Sequence, residues 1–298
     1  MVYFQPTGMG VALVTPFQAD KSIDYEALKR LVEYVIDEGA DFIVVQGTTG
    51  ETATMTHDEI ERVSDAVRRY AGGRVPLVIG IGGNCTTTVC HEIQSRDLDG
   101  YAAVLSVVPF YNKPQQEGIY RHYTEIAQAS PLPVILYNVP GRTGVNMTAE
   151  TTLRLAEIDN IIAVKEASGN FTQIEQIIKH APQGFNVISG DDGITFPLIS
   201  LGASGVISVL GNACPRKFSE MVHKALSGDM EGARLLHHEF AEVFRLLFID
   251  GNPAGIKCAL AHLGLAQEIL RLPLVSVTDH TRLLLQQALV SIGYDSRI

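Results

Sequence analysis

Eight short apolar segments recur along this 298-residue chain, each bounded by turn-forming residues. They are rich in Val and Ile and too short for an ordinary helix, so they predict buried strands. The predicted strands cover residues 10–17, 42–47, 77–83, 103–109, 134–140, 161–167, 186–192 and 205–211. Amphipathic stretches such as residues 25–39, 57–71 and 120–129 lie between them, with apolar residues at every third or fourth position. The pattern predicts a series of β–α units.

Eight such units with near-continuous apolar strands are typical of a parallel barrel, in which both faces of every strand are covered. A doubly wound nucleotide-binding sheet would need G-x-G-x-x-G after the first strand, and "VTPFQADKS" lacks it. Helical spacing continues beyond the eighth strand. We therefore predict an α/β protein with a (β/α)8 TIM barrel over residues 1–224 and a C-terminal helical region, packed on the barrel, over residues 225–298.

Charge and cysteine content narrow the function classes. With 33 acidic and 23 basic residues the chain is acidic, and no Lys/Arg cluster indicates nucleic-acid binding. Four cysteines without C-x-x-C spacing suit a reducing compartment. The segment "MVYFQPTGMG" lacks the features of a signal peptide, and no apolar run approaches the ~18 residues of a membrane span. We expect a cytoplasmic protein with a small-molecule partner.

Polar residues stand where the predicted strands end. In a barrel of this class the functional groups lie at the carboxyl ends of the strands. The polar strand ends are "GTTGE" (47–51), "PFYN" (109–112), "YNVPGR" (137–142), Lys165, "SGDD" (189–192) and "ISVLGN" (207–212). Hydroxyls, phenols, an amine and a guanidinium are therefore predicted to lie together at the end of the barrel where the strands have their carboxyl ends.

Lys165 ends an otherwise apolar strand and is followed at once by Glu166. A buried ammonium is costly unless it is paired or neutral, and loss of hydration favours a free amine that can attack a carbonyl and form a Schiff base. The alternative is a structural ion pair with Glu166 or a solvated strand end. Because successive strand residues point to opposite faces, pairing between these two neighbours is disfavoured.

Three further groups fit such chemistry. Tyr137 offers a phenol for proton transfer, although a buried tyrosine is often only structural. Thr48 and Thr49 offer hydroxyls and backbone N–H groups for a carboxylate, or else ordinary loop and cap contacts. Arg142 offers a bidentate fork for a second carboxylate, or else a solvated surface charge.

A metal site is not expected. Asp191 and Asp192 are adjacent in "SGDD", so their side chains should diverge, and no third ligand stands nearby in the sequence. The nine histidines are scattered along the chain.

Taken together, "GTTGE", "PFYN", "YNVPGRTG", "VKEASGN", "SGDD" and "GVISV" resemble the dihydrodipicolinate synthase family of class I, Schiff-base aldolases in their order and spacing. The resemblance spans nearly the whole chain and includes "NPAGIK" and "RLPL" in the helical tail. It implies that Lys165 condenses with pyruvate, and that the enamine adds aspartate semialdehyde to give cyclic 4-hydroxy-tetrahydrodipicolinate on the route to lysine. Neither NAD nor PLP is required.

The resemblance also implies a role for individual residues. The implied proton relay consists of Tyr137, Thr48 and Tyr111, the last from a neighbouring subunit. The implied substrate-binding residues are Thr49 for pyruvate and Arg142 for the aldehyde, while Gly190 and Ile207 shape the pocket. A homotetramer built as a dimer of dimers is the implied assembly.

Members of the family that are inhibited by lysine carry a histidine, a glutamate and a tyrosine where this chain has Ile60, Thr88 and Phe110. Three other residues would still suit lysine: Thr52, His57 and Asn84. An apolar Ile60 and a neutral Thr88 cannot form an ion pair with the ammonium of lysine. We expect weak or absent inhibition.

Two other functions remain open. Within the family, N-acetylneuraminate lyase and 2-keto-3-deoxy-sugar-acid aldolases share the lysine and tyrosine but take a polyhydroxylated partner. "PGRTG" favours a short aldehyde that bears a carboxylate, because Arg142 would otherwise lack a partner. From another class, the barrel could bind a ligand without catalysis, with Lys165 as a counterion.

Overall fold

The computed structural model describes residues 4–296 and forms a closed barrel in which every strand pairs in parallel with its sequence neighbours. β1 also pairs with β8, which completes the closure. The strands are Gly8–Ala12 (β1), Phe42–Val45 (β2), Leu77–Gly80 (β3), Ala103–Val107 (β4), Val134–Asn138 (β5), Ile161–Glu166 (β6), Asn186–Ser189 (β7) and Gly205–Ser208 (β8). Each lies within or overlaps one predicted strand, so the prediction of a (β/α)8 TIM barrel with a C-terminal helical extension is confirmed.

Helices connect the strands and continue beyond the barrel. They are Tyr25–Asp37 (α1), His57–Ala71 (α2), Thr86–Ser95 (α3), Gln116–Ala129 (α4), Pro140–Thr143 (α5), Ala149–Ala156 (α6), Phe171–His180 (α7), Thr195–Ser200 (α8), Pro215–Leu226 (α9), Met230–Ile249 (α10), Ala254–His262 (α11) and Asp279–Ser291 (α12). α2 shows how the sequence sets their limits. Thr56 and Glu59 form a reciprocal capping box at its start, and Gly72 ends it in the left-handed conformation.

Two layers of apolar side chains hold the barrel. An inner cluster fills its interior and includes Phe42, Ile135 and Ile188, while a larger outer cluster lies between the strands and the helices. All six residues of β6 are buried, as expected of a strand that is covered on both faces. A Cβ on Gly10 would lie 2.2 Å from the ring of Phe42, so only glycine leaves room for this large side chain across the β1–β2 pair.

The last three helices pack against one another, and α10 also packs on α9. The predicted boundary at residue 224 falls in the last turn of α9, and the division of the chain at that point stays a prediction. None of the helices in residues 4–296 has both the length and the apolar character needed to cross a membrane.

Candidate active site

A cavity of about 470 Å³ opens at the carboxyl ends of the strands. Its walls include four of the residues predicted from sequence: Lys165, Tyr137, Thr48 and Arg142. They come from β6, β5, the turn after β2 and the helix after β5, respectively. The barrel thus brings together groups that are as far apart in the chain as Thr48 and Lys165, at the end of the strands where such sites are expected.

Lys165 and Tyr137 are direct partners in the pairing of β5 with β6. The Nζ atom of Lys165 lies 4.3 Å from the centre of the Tyr137 ring, and only 6% of the lysine is exposed. Gly190 lies beside the same side chain, because a Cβ on it would be 3.2 Å from the Lys165 Cε. The amine is therefore held among aromatic and aliphatic groups at the floor of the cavity.

Glu166 lies on the other face of β6, away from Lys165. Its Oε1 accepts hydrogen bonds from the amides of Asn138 and Gln173, and its Oε2 accepts from the hydroxyl and backbone N–H of Ser168. Burial raises the pKa of this carboxyl, and these donors oppose the shift. The acidic neighbour of Lys165 is thus engaged in a separate polar network, as the alternation of strand side chains predicted.

The segment Thr48–Gly50 forms a single 3-10 turn after β2. Thr48 faces the cavity, and Thr49 is buried behind it. The side-chain amide of Asn252 donates to the Thr49 hydroxyl at 3.1 Å. Thr48 therefore presents a hydroxyl to the same cavity that Lys165 lines, and a hydroxyl can donate to a carboxylate.

Arg142 lies on α5 and lines the same cavity. One of its guanidinium nitrogens donates to the carbonyl of Asn252 at 3.4 Å. Asn252 therefore contacts both candidate carboxylate sites, a relation that the sequence prediction missed. "NPAGIK" was the available signal, but an asparagine before a proline is also typical of a simple turn.

Two further predicted residues are not among those that line the cavity. Ile207 is buried in the inner cluster, which also contains Tyr137. Tyr111 is 87% exposed, in contrast to the buried Tyr137, and its φ of 71° lies in the left-handed region. That conformation is uncommon for a residue with a bulky side chain. The neighbouring Phe110 lines the cavity.

The two aspartates of "SGDD" have separate partners. Asp191 accepts a hydrogen bond from the backbone of Gly193, and Asp192 accepts from the backbones of Val209 and Leu210. Asp192 is buried, and this desolvation raises its pKa to about 6. Among the residues that the structure describes, no cluster of three or more His, Cys, Asp or Glu side chains is arranged to hold a metal ion. Asp192 instead ties the loop after β7 to the loop after β8.

The closed barrel and the cavity at the carboxyl ends of its strands define an enzyme of the (β/α)8-barrel class. The chain belongs to the dihydrodipicolinate synthetase family, whose sequence model matches residues 5–292.

Relatives and solved structures agree with this assignment. The chain is 61% identical over 269 residues to the 4-hydroxy-tetrahydrodipicolinate synthase of Parabacteroides distasonis, an alignment that covers 90% of this chain and 91% of that protein. Dihydrodipicolinate synthase from Aquifex aeolicus has a TM-score of 0.94 and 40% identity, covering 98% of this chain and 100% of that chain. The chloride-inhibited enzyme from Acinetobacter baumannii, solved with pyruvate, has a TM-score of 0.94 and 40% identity, covering 97% and 99%.

Proposed function

We propose that this protein is a lyase of the class I aldolase type that condenses pyruvate with L-aspartate 4-semialdehyde to 4-hydroxy-tetrahydrodipicolinate, in the biosynthesis of lysine through diaminopimelate. The observation that carries the proposal is the buried amine of Lys165 beside the Tyr137 ring, in a cavity at the barrel mouth. High identity to synthases of this name supports the same reaction. The A. baumannii relative solved with pyruvate supports the first substrate.

The chemistry begins when the free amine of Lys165 attacks the keto carbon of pyruvate. Loss of water from the carbinolamine gives an imine, and removal of a methyl proton gives an enamine. The enamine carbon then bonds to the aldehyde carbon of the semialdehyde. The amino group of the semialdehyde finally displaces Lys165 from the imine carbon, which closes the ring and restores the free amine. No external oxidant or reductant is consumed.

The other side chains bind the substrates and move protons. The phenol of Tyr137 and the hydroxyl of Thr48 transfer protons to and from the carbinolamine, with Tyr111 of a neighbouring subunit as the third member of the relay. The turn that contains Thr48 and Thr49 binds the pyruvate carboxylate. Arg142, at the opening of the cavity, binds the carboxylate of the semialdehyde. Holding both substrates in one cavity contributes about 7–11 kcal/mol to lowering the barrier when alignment is good.

Tyr111 supports an assembly of several subunits. Its side chain is almost fully exposed on the isolated subunit and has a strained backbone, which suits insertion into a second copy. We propose a homotetramer built as a dimer of dimers. We place the enzyme in the cytoplasm, which agrees with four free cysteines: Cys85, Cys90, Cys214 and Cys258.

Reductive trapping tests the proposal. Borohydride added with pyruvate should leave a covalent adduct on Lys165, and peptide mapping should find none on Lys257, a second buried lysine that is ion-paired with Glu51. No adduct, or one on Lys257 alone, would contradict the assignment. Turnover of aspartate semialdehyde compared with that of N-acetylneuraminate then separates the synthase from the sugar-acid lyases, and trapping itself excludes a silent binding barrel.

A further inference from the structure

Glu51 ends the pyruvate-binding turn, yet its carboxylate faces away from solvent. It forms an ion pair with Lys257 of α11, and both side chains are fully buried. The backbone N–H of Arg271 donates to the second oxygen of Glu51 at 3.1 Å. The two partners of this carboxylate thus come from "NPAGIK" and "RLPL", the two tail motifs to which the mechanism gives no chemical step.

Lys257 also has several close contacts. Its Nζ donates to the carbonyl of Ile269 at 2.8 Å and lies 4.1 Å from the centre of the Phe17 ring. The guanidinium of Arg271 covers the same ring at 4.4 Å. Burial lowers the pKa of Lys257 below the ordinary lysine range, and the Glu51 carboxylate opposes the shift.

A fully buried ion pair is not an efficient way to stabilise a fold. The free energy needed to remove two charges from water is about as large as the attraction between them. Proteins in which such a pair is replaced by apolar residues of similar volume are often at least as stable. Such a pair is therefore expected where it fixes a geometry. Here it joins the end of a barrel loop to a helix that lies outside the barrel.

Both ends of the pair are adjacent to substrate-binding groups. Glu51 directly follows the 3-10 turn Thr48–Gly50 and has a φ of 56°, a left-handed conformation uncommon for glutamate. Lys257 lies in the first half of α11, which begins two residues after Asn252. Asn252 in turn donates to the Thr49 hydroxyl at 3.1 Å. The turn is thus held by the tail at two points.

We infer that Glu51 and Lys257 are positioning residues for pyruvate: their buried ion pair fixes the Thr48–Thr49 turn against Asn252, so that the hydroxyls and N–H groups of the turn meet the pyruvate carboxylate. The inference rests on the proposed function. Neither charged group has exposed surface, so both act through the turn rather than on substrate.

The test measures pyruvate binding separately from turnover. In Glu51→Gln and in Lys257→Met, the pyruvate concentration that half-saturates borohydride trapping, and the KM for pyruvate, should rise about tenfold. The KM for aspartate semialdehyde should stay within about threefold of the wild-type value. The double variant should lose less than the sum of the single losses, because neither charge is then left unpaired.

Glu51→Asp keeps the test decisive if those variants fail to fold. It retains the charge, and aspartate tolerates the left-handed conformation, but its carboxylate is one methylene shorter. We expect a folded protein with a severalfold higher pyruvate KM. The matched control is Arg282→Met, which breaks the Arg282–Glu268 pair in the same helical tail and should leave pyruvate binding unchanged.

Unchanged pyruvate saturation in folded Glu51→Asp, or equal losses for both substrates in proportion to lost stability, would overturn the inference. The two hypotheses remain distinguishable. If the wild-type protein forms no pyruvate adduct, the proposed function fails. If it forms the adduct and these variants saturate normally, only the positioning role fails.

Discussion

Asn138 donates a hydrogen bond to Glu166 across the β5–β6 pair, one residue beyond the pair formed by Tyr137 and Lys165. The two pairs point to opposite faces of the sheet. The inner pair carries the amine and the phenol, and the outer pair fixes the ends of the same strands against the loop that contains Ser168. The residues next to the amine and the phenol are thus held by a polar network, and its members Asn138 and Glu166 do not line the cavity.

Glu166→Gln tests this network. All four groups that contact the carboxylate are donors, from Asn138, Gln173 and Ser168, so the glutamine NH2 must face donors on one side. We expect the free energy of unfolding in urea to fall by about 1–3 kcal/mol. Glu175→Gln, at an exposed site on α7, is the control and should change it by less than about 0.5 kcal/mol. Equal effects of the two substitutions would contradict the assignment.

Tyr137→Phe removes the hydroxyl and keeps the aromatic ring, so it separates the role of the hydroxyl from that of the ring. The ring still covers the Lys165 amine, so the fold and the borohydride-trapped adduct should persist, but kcat should fall by about 10²–10⁴-fold because a proton-transfer group is lost. Tyr101→Phe removes the hydroxyl of another buried tyrosine, which donates to the carbonyl of Ser64, and neither residue lines the cavity. That control should turn over at nearly the wild-type rate. Normal kcat in Tyr137→Phe would remove the phenol from the relay.

Arg142→Lys tests recognition of the second substrate. Lysine keeps the charge but cannot bind a carboxylate with two parallel hydrogen bonds. We expect the KM for aspartate semialdehyde to rise about tenfold or more. Trapping of pyruvate alone should be unchanged, since the Lys165 amine and the Thr48 turn are intact. A rise in the pyruvate requirement with no change for the semialdehyde would reverse the assignment of the two carboxylate sites.

His122 should make the protein less stable in acid. Its Nδ1 lies 2.9 Å from the Thr86 hydroxyl between α4 and α3, and burial lowers its pKa to about 4. Because the unfolded pKa is higher, about 6.5, the unfolded chain binds this proton first as the pH falls. The contribution of neutral His122 is therefore complete above about pH 6.5 and declines toward pH 4, by at most about 3 kcal/mol.

Urea unfolding of His122→Gln measures this contribution. The stability lost between about pH 7 and pH 5 should be smaller in the variant than in the wild type, because glutamine does not titrate. His280→Gln, which changes an exposed histidine on α12, should leave the wild-type pH dependence intact. Identical pH dependence in wild type and His122→Gln would show that His122 is not the group responsible.

Lysine should inhibit this enzyme weakly or not at all. Ile60 and Phe110 present apolar surface to the cavity, and the Asn84 amide already donates to the Phe110 carbonyl at 3.2 Å. The Thr52 hydroxyl likewise donates to the side chain of Gln46 at 3.1 Å. None of these four residues carries a carboxylate, so the ammonium of a bound lysine would find no ion-pair partner among them. Half-inhibition at sub-millimolar lysine in a steady-state assay would disprove this expectation.

The barrel could be predicted because its signal is local. Each strand is a short apolar run between turns, and the sequence located all eight. Some ends were wrong: the first run was predicted to reach residue 17, but β1 ends at Ala12. The residues that follow, such as Leu13 and Val14, are apolar because they pack in the outer core rather than in the sheet. Apolar character reports burial, and it cannot separate a strand from a buried loop.

The supports of the site could not be predicted in the same way. Glu51 and Asn252 have ordinary loop sequences, and their partners lie about two hundred residues away in the chain. Periodicity describes near neighbours, so it does not report such contacts. Lys165 was recognisable because a charged residue is unusual in an apolar strand. A charged residue in a turn, such as Glu51, is ordinary and gives no such signal.

The contacts of the tail with the Thr48–Thr49 turn bear on the order in which this protein matures during synthesis. A nascent chain that has been synthesised as far as α9 already contains all eight strands of the barrel. It acquires the partners of Glu51 and Thr49 only after α11 emerges. If the tail positions the turn as inferred above, a chain truncated before Asn252 retains Lys165 but lacks the partners that hold the Thr48–Thr49 turn.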